Sequence, residues 1–385
     1  MAPAFLIGAA TLLAAAASPS QPAPATRDTA YVVSFDTTYY ITNRSRSGNG
    51  LGGRRSDSFE YGFVVTRFRE RVAVPDEARW TAGFSSRQAD PVSLTRDEFI
   101  AHVKAIDARA TARNDGPVVY VHGFAVSFRR AIAQGSEIAH RGRFGGALIV
   151  FAWPAHHALA TWPRPSAILT RAYRDDLASA AASAAAFRAA LGDLLDAVPA
   201  GRVTVAGHSL GARLATEALA APSWLRDSLS RTPLGALALF APDISAAHFR
   251  DSLDAPLVPL AARRMIYASR ADRMLMLSRL FNRNSRAGQV GGQRLLAAAD
   301  IEFIDVTDGR RADGALRKLV EPRHAMRYAS SALRDFFGVV RGATGDCRVS
   351  DGLAEQTGPR SWRLTAATVP AHDVACSAAV SSARR

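Results

Sequence analysis

The chain has 385 residues, of which 48% are hydrophobic, enough for one large core and a smaller appendage. Its formal net charge of +14 comes almost wholly from arginine, since Lys104 and Lys318 are the only lysines. The arginines occur singly or in pairs such as Arg54-Arg55 and Arg263-Arg264, without the basic run interleaved with aromatics of a nucleic-acid module. Nucleic acid is therefore not expected as a partner, whereas weak association with an anionic surface is compatible with the charge.

Residues 1–25 read as an export signal with a Pro-rich junction. Phe5 to Ala17 is an apolar stretch too short to span a bilayer, small residues follow it, and a cleavage site fits after Ala15-Ala16-Ala17. A periplasmic or secreted location is the corresponding expectation. The only two cysteines, Cys347 and Cys376, lie close to the C-terminus. An even pair in an exported chain predicts one disulfide stapling a C-terminal tail, residues 341–385.

Residues 26–114 form a β-leaning extension with one helix. Tyr31 to Asp36 and Phe59 to Phe68 are rich in Val, Tyr, Phe and Thr and read as strands, with an Arg/Ser/Gly-rich loop over Asn43 to Asp57. Thr95 to Ala112 reads as a helix, with Thr95 as N-cap and Glu98 three residues on. From Pro117 strands and helices alternate. The predicted strands are Val118–Val121, Ala147–Phe151, Val203–Ala206, Leu234–Phe240, Arg264–Ala268 and Ile301–Val306. The predicted helices are Phe128–Ala139, one long Tyr173–Val198, Leu210–Leu219 and His324–Val339. That alternation predicts an α/β fold over residues 115–340, a mostly parallel sheet with helices on both faces.

The chemistry centres on Gly207-His208-Ser209-Leu210-Gly211, a Gly-x-Ser-x-Gly between a short β-branched strand and a helix. In a nucleophile elbow the serine sits on a strained strand-to-helix turn and its neighbours must be small, as Ala206, Gly207, Gly211 and Ala212 are. The helix N-terminus beneath Ser209 favours a developing oxyanion. An activated serine needs a base and a group that orients it. Of nine histidines only His248, His324 and His372 follow Ser209, and His324 follows the last strand, where a base above the sheet belongs. Asp272 follows the strand before it and is the favoured acid; Asp243, at the end of Phe240-Ala-Pro-Asp-Ile244, is the alternative. His122-Gly123-Phe124 after the strand Val118–Val121 offers the backbone N–H of Phe124 to join that of Leu210 in an oxyanion hole. No cofactor or metal is expected: His156-His157 are adjacent in sequence and so point apart, with no third ligand nearby in the chain. Residues Ala155 to Ile168 read chiefly as the connection from strand to helix, with a short flap over the site as the alternative; a modest flap would suit a small or medium acyl group.

Several stretches resemble the alpha/beta-hydrolase superfamily, and more closely a bacterial branch of esterase- and lipase-like serine hydrolases. They are Tyr40-Ile-Thr-Asn-Arg44, Val121-His-Gly-Phe124, Phe151-Ala-Trp-Pro154, Gly207-His-Ser-Leu-Gly211, Ala241-Pro-Asp-Ile244, Tyr267-Ala-Ser-Arg-Ala-Asp272 and Ile304-Asp-Val306. The resemblance implies that Ser209, Asp272 and His324 act as nucleophile, acid and base. The chain departs from the pattern at Ser245, where an Asp soon follows Pro-Asp-Ile in the family, and in a long basic loop before His324. The expected activity is hydrolysis of a small-to-medium carboxylic ester through an acyl-enzyme. The alternatives are thioester or amide hydrolysis on the same fold, or a non-catalytic envelope-binding protein that retains the scaffold.

Overall fold

The structure, a computed structural model, describes residues 31–48, 50–71, 84–155, 166–282, 284–292, 296, 300–308 and 330–365. Twelve strands among them form one sheet. In chain order these are β1 Tyr31–Ser47, β2 Gly50–Arg71, β3 Phe84–Gln88, β4 Val92–Leu94, β5 Val118–Val121, β6 Leu148–Phe151, β7 Thr204–His208, β8 Leu234–Phe240, β9 Ala261–Ala268, β10 Glu302–Asp305, β11 Ala354–Gly358 and β12 Ser361–Leu364. From edge to edge they run β11-β12-β10-β9-β8-β7-β5-β6-β1-β2-β3, with β4 also on β2. The segment from β6 through β10 is parallel throughout, as the strand–helix alternation predicts.

Alternate residues of each central strand feed opposite cores. Val119, Val121, Ile149, Val205, Leu237 and Ile266 belong to one. Val118, Tyr120, Leu148, Val150, Ala206 and Met265 belong to the other. Helices α1 (Arg96–Ala110), α4 (Ala184–Leu195), α5 (Leu210–Ala220) and α6 (Trp224–Arg231) supply side chains to the first core. Helix α2 (Phe128–Arg141) and the helix Ser330–Val340 supply the second. Burial on both faces explains why β5, β6 and β8 read Val-Val-Tyr-Val, Leu-Ile-Val-Phe and Leu-Gly-Ala-Leu-Ala-Leu-Phe rather than as an alternating pattern. Helix α1 starts at the expected capping box, Thr95 with Glu98.

Three expectations change. The Asn43–Asp57 segment is not a loop but the tip of a long hairpin: β1 and β2 stay paired from Tyr31–Arg71 to Ser47–Gly50, with register shifts on either side of Arg44. Arg44 lies between these shifts and is almost fully buried. The long helix Tyr173–Val198 is two, α3 (Ser166–Ala182) and α4, parted at Ser183. The Ser183 hydroxyl is buried there and accepts from Asn43 Nδ2 at 3.3 Å, a tertiary anchor that alanine-rich propensity does not report. Beyond residue 340 the chain adds the hairpin β11–β12 to the sheet, with β12 parallel to β10. Within this segment Cys347 is disulfide-bonded; Cys376, the other cysteine of the sequence, lies outside the described residues, as do residues 1–25.

Candidate active site

Ser209 sits between β7 and α5 with φ 55° and ψ −119°. These are the angles of the first central residue of a type II′ turn, normally a glycine position. The geometry is held from three sides. Ser209 N–H donates to the Phe240 carbonyl at 3.0 Å, and its own carbonyl accepts from Arg213 N at 3.2 Å and Asp243 N at 3.3 Å. A Cβ at Gly207 would strike the Ala212 backbone, and one at Gly211 would strike the carbonyls of Val121 and His122. Both motif glycines are therefore required by close approach.

The loop after β5 lies against Ser209: a Cβ on Gly123 would stand 3.1 Å from Ser209 Cβ. Phe124 follows on this loop, and Leu210 is the first residue of α5, where backbone N–H groups lack intrahelical partners. The loop is clamped by neighbours. Ala125, at φ 55°, donates its N–H to Asp176 Oδ2 on α3 at 2.8 Å. His122 stacks on Trp153, centroids 5.1 Å apart, and Trp153 Nε1 donates to the His122 carbonyl at 2.8 Å. Arg44 reaches in from β1 and donates Nη2 to the Val126 carbonyl at 2.8 Å, Nε to Ala152 at 3.2 Å and Nη1 to Gly52 at 2.9 Å. Burial pulls its guanidinium down to about 10, and the charge of Asp176 works against that fall. Arg44 and Trp153 lie in stretches that the sequence reading singled out for resemblance alone. Asp176 and Tyr173 carried no signal, because their role depends on how α3 folds back.

Asp243 and Asp272 are both buried but differ in surroundings. Asp243 follows β8, and both of its oxygens already accept. Oδ1 takes the Ser278 hydroxyl at 2.7 Å and Oδ2 takes Tyr173 Oη at 2.8 Å. The buried Arg286 Nε is 3.1 Å from Oδ1 but directed off the line of a hydrogen bond. Burial and the Asp243 charge push the Tyr173 phenol up to about 12. Asp272, fully buried, lies after β9 and ahead of the helix Arg273–Asn282; its Oδ1 accepts from Leu275 N at 2.9 Å. β9 is two strands from β7, about 10 Å across the sheet.

His324 lies outside the described residues, as do His372, His156, His157 and most of the candidate flap. His248 is 44% exposed and sits 3.9 Å from Glu217 Oε1, two turns along α5 from Ser209. Among the described residues no group of three or more His, Cys, Asp or Glu could hold a metal ion, and no helix is long and apolar enough to cross a membrane.

Several solved structures are similar to the chain at a low level. An esterase named Est22 covers 80% of each chain at 13% identity and TM-score 0.35. Brefeldin A esterase, a bacterial homologue of human hormone-sensitive lipase, covers 84% of this chain and 80% of its own at 13% identity and TM-score 0.34. A predicted hydrolase from Thermoplasma acidophilum covers 72% of this chain and 93% of its own at 10% identity and TM-score 0.32. No curated protein sequence matches that of this chain. Residues 99–325, from α1 past β10, match the family described as alpha/beta hydrolase of unknown function (DUF900). That span covers more than half of the chain and takes in the Ser209 elbow, both buried aspartates and the clamped loop, so the protein belongs to this alpha/beta-hydrolase family.

Proposed function

We propose that the protein is an exported serine hydrolase that cleaves a small-to-medium carboxylic ester. The observation that carries this reading is the conformation of Ser209: a non-glycine residue at φ 55°, braced by three backbone hydrogen bonds, at the head of a helix. Strain of this kind costs about 1–3 kcal/mol and persists where geometry is needed for chemistry. In the proposed reaction Ser209 Oγ attacks the ester carbonyl while His324 takes its proton. The tetrahedral oxyanion is held by the N–H groups of Phe124 and Leu210. His324 then returns the proton to the departing alkoxide, and water hydrolyses the acyl-enzyme by the same sequence. Asp272 orients the imidazole. It is favoured over Asp243 because both Asp243 oxygens already accept side-chain hydroxyls and its charge faces Arg286. Export is supported by the apolar N-terminal stretch and by the disulfide at Cys347, a bond at home in an oxidising compartment.

The test is labelling with a fluorophosphonate alongside turnover of an activated ester. The wild-type protein is expected to be labelled and to turn over ester, and Ser209→Ala to lose both while melting normally. Undiminished labelling of Ser209→Ala would remove Ser209 as nucleophile, and absence of any labelling or turnover in the wild type would favour a binding protein on a hydrolase scaffold.

A further inference from the structure

The N-terminal hairpin has two faces of different character. Even-numbered residues of β1 and β2 face α2: Thr38 and Thr66 hydrogen-bond Ser136, Phe68 stacks on His140, and Asp36 and Glu70 bond the two His140 ring nitrogens. Odd-numbered residues face the other way. There Tyr39 and Phe63 pack on α1, against Phe99 and His102. Beyond Thr37, towards the start of β1, the sheet outruns α1, and among the described residues no element covers this face.

What it presents is neither random nor neutral. Val33 pairs directly with Arg69, Phe35 with Arg67, and Arg67 in turn with Arg87 of β3, so these side chains share one face. Phe35 is 65% exposed, Val33 45% and Tyr31 44%, and the three arginines are exposed too. Arg69 lies over the Tyr31 ring, 3.8 Å from its centroid. No carboxylate among the described residues pairs with Arg67, Arg69 or Arg87. The nearby acids, Asp36 and Glu70, are turned to the opposite face and held by His140. Among the described residues, the acids Asp36 and Glu70 thus lie on the α2 side with the exposed Val32, while Arg67, Arg69 and Arg87 share the open side with Tyr31, Val33 and Phe35.

We propose that this face docks on an anionic lipid surface. Arginines spaced around Phe35, Val33 and Tyr31 suit a headgroup layer, where phosphates meet the guanidinium groups and apolar side chains enter the acyl boundary. A free phosphate or a nucleic-acid backbone would give the apolar row nothing to enter. The placement also leaves the catalytic end clear. Ile41 is level with Phe151, Val121 and Gly207 through successive pairings, so Ser209 lies at the end of the sheet away from Tyr31 and Phe35. Six residues of strand separate Ile41 from Phe35, about 20 Å.

The experiment is co-sedimentation of the full chain with vesicles of equal parts phosphatidylglycerol and phosphatidylcholine, and with phosphatidylcholine alone. Wild-type protein is expected to bind the mixed vesicles selectively and to be released by salt. The triple variant Arg67→Gln/Arg69→Gln/Arg87→Gln should lose roughly tenfold or more of that partition. Phe35→Ser should lose a smaller, salt-insensitive part. Both variants should turn over a soluble ester as the wild type does. Partition of the triple variant equal to wild type, or wild-type binding indifferent to phosphatidylglycerol, would overturn the proposal. Binding to a DNA duplex that is lost in the triple variant but not in Phe35→Ser would assign the face to nucleic acid instead, and equally overturn it.

Discussion

Tyr173 Oη donates a 2.8 Å hydrogen bond to Asp243 Oδ2, tying helix α3 to the loop after β8 directly behind the nucleophile. The same tyrosine meets the Phe124 ring edge-on at 5.8 Å, so one side chain connects the candidate oxyanion loop with the buried Asp243–Arg286 pair. In the proposed mechanism Asp243 therefore supports the site's architecture, and Asp272 is the group that orients the base.

This assignment separates two variants. Asp272→Asn should lower kcat by about 10⁴, as a wrongly held imidazole tautomer does, with little loss of stability because asparagine also caps a helix. Asp243→Asn removes the charge that faces Arg286 and should destabilise by about 3 kcal/mol, with kcat changed only a few-fold. Measuring kcat on one activated ester and urea midpoints for both variants checks this. A 10⁴-fold loss confined to Asp243→Asn would exchange their roles.

The stored strain at Ser209 has its own consequence. Glycine adopts the φ 55°, ψ −119° conformation without a Cβ penalty, whereas alanine keeps it. Ser209→Gly should therefore be more stable than Ser209→Ala by about 1 kcal/mol, while both lack activity. Equal denaturation midpoints would show that the elbow carries no strain.

The elbow was legible in the sequence because its requirements are local. A strand, a serine between small residues and a helix lie within a few residues of one another, and Gly207 and Gly211 announce the crowding. The parallel strands were legible for a related reason, since strands buried on both faces are continuous apolar runs, whereas their order across the sheet was not. What escaped was set by distance along the chain. Arg44 looks like one arginine in a polar, glycine-rich stretch until Val126 and Ala152 close over it. Asp176 is one of two adjacent aspartates on a helix, and only folding decides that it receives the Ala125 N–H. The hairpin tip escaped for the same reason: Arg, Ser and Gly disfavour strands locally, and pairing that resumes with the partner strand beyond the register shifts, out to Ser47 and Gly50, overrides them.

His140 gives a pH dependence whose sign is fixed. Burial pulls its pKa down, but hydrogen bonds from its two nitrogens to Asp36 at 2.8 Å and Glu70 at 2.9 Å outweigh that, and the net shift is upward from 6.5. A group whose folded value is raised stabilises fully below its unfolded value and loses that contribution as pH climbs through the folded one. The stability advantage of wild type over His140→Gln should thus be greatest below a pH of about 6.5 and shrink above it. Urea midpoints of the two proteins across that range test this, and an advantage that grows with pH would refute it.

Arg348 supplies the last prediction. It is buried between the helix Ser330–Val340 and the added edge of the sheet, with Nε 2.5 Å from Asp335 Oδ1, Nη1 on Glu302 and its guanidinium 4.6 Å from the Trp362 ring centroid. Asp335 Oδ2 also accepts Tyr267 Oη at 2.7 Å, which carries the network into β9. Burial alone would lower the guanidinium pKa, but Asp335 and Glu302 outweigh it and raise it, while Arg263 and Arg348 together hold the Glu302 carboxyl low despite its own burial. Replacing Arg348 by methionine keeps apolar contact with Trp362 but leaves Asp335 buried without its cation. The cost should be about 3–5 kcal/mol, whereas removing both partners in Arg348→Met/Asp335→Leu should recover a large part of it. A single variant within about 1 kcal/mol of wild type, read from urea midpoints, would mean that hydrophobic packing of β11 and β12 holds this edge without the ion pair. Soluble-ester turnover by the folded fraction should be unchanged, because neither Arg348 nor Asp335 bonds Ser209 or its clamped loop.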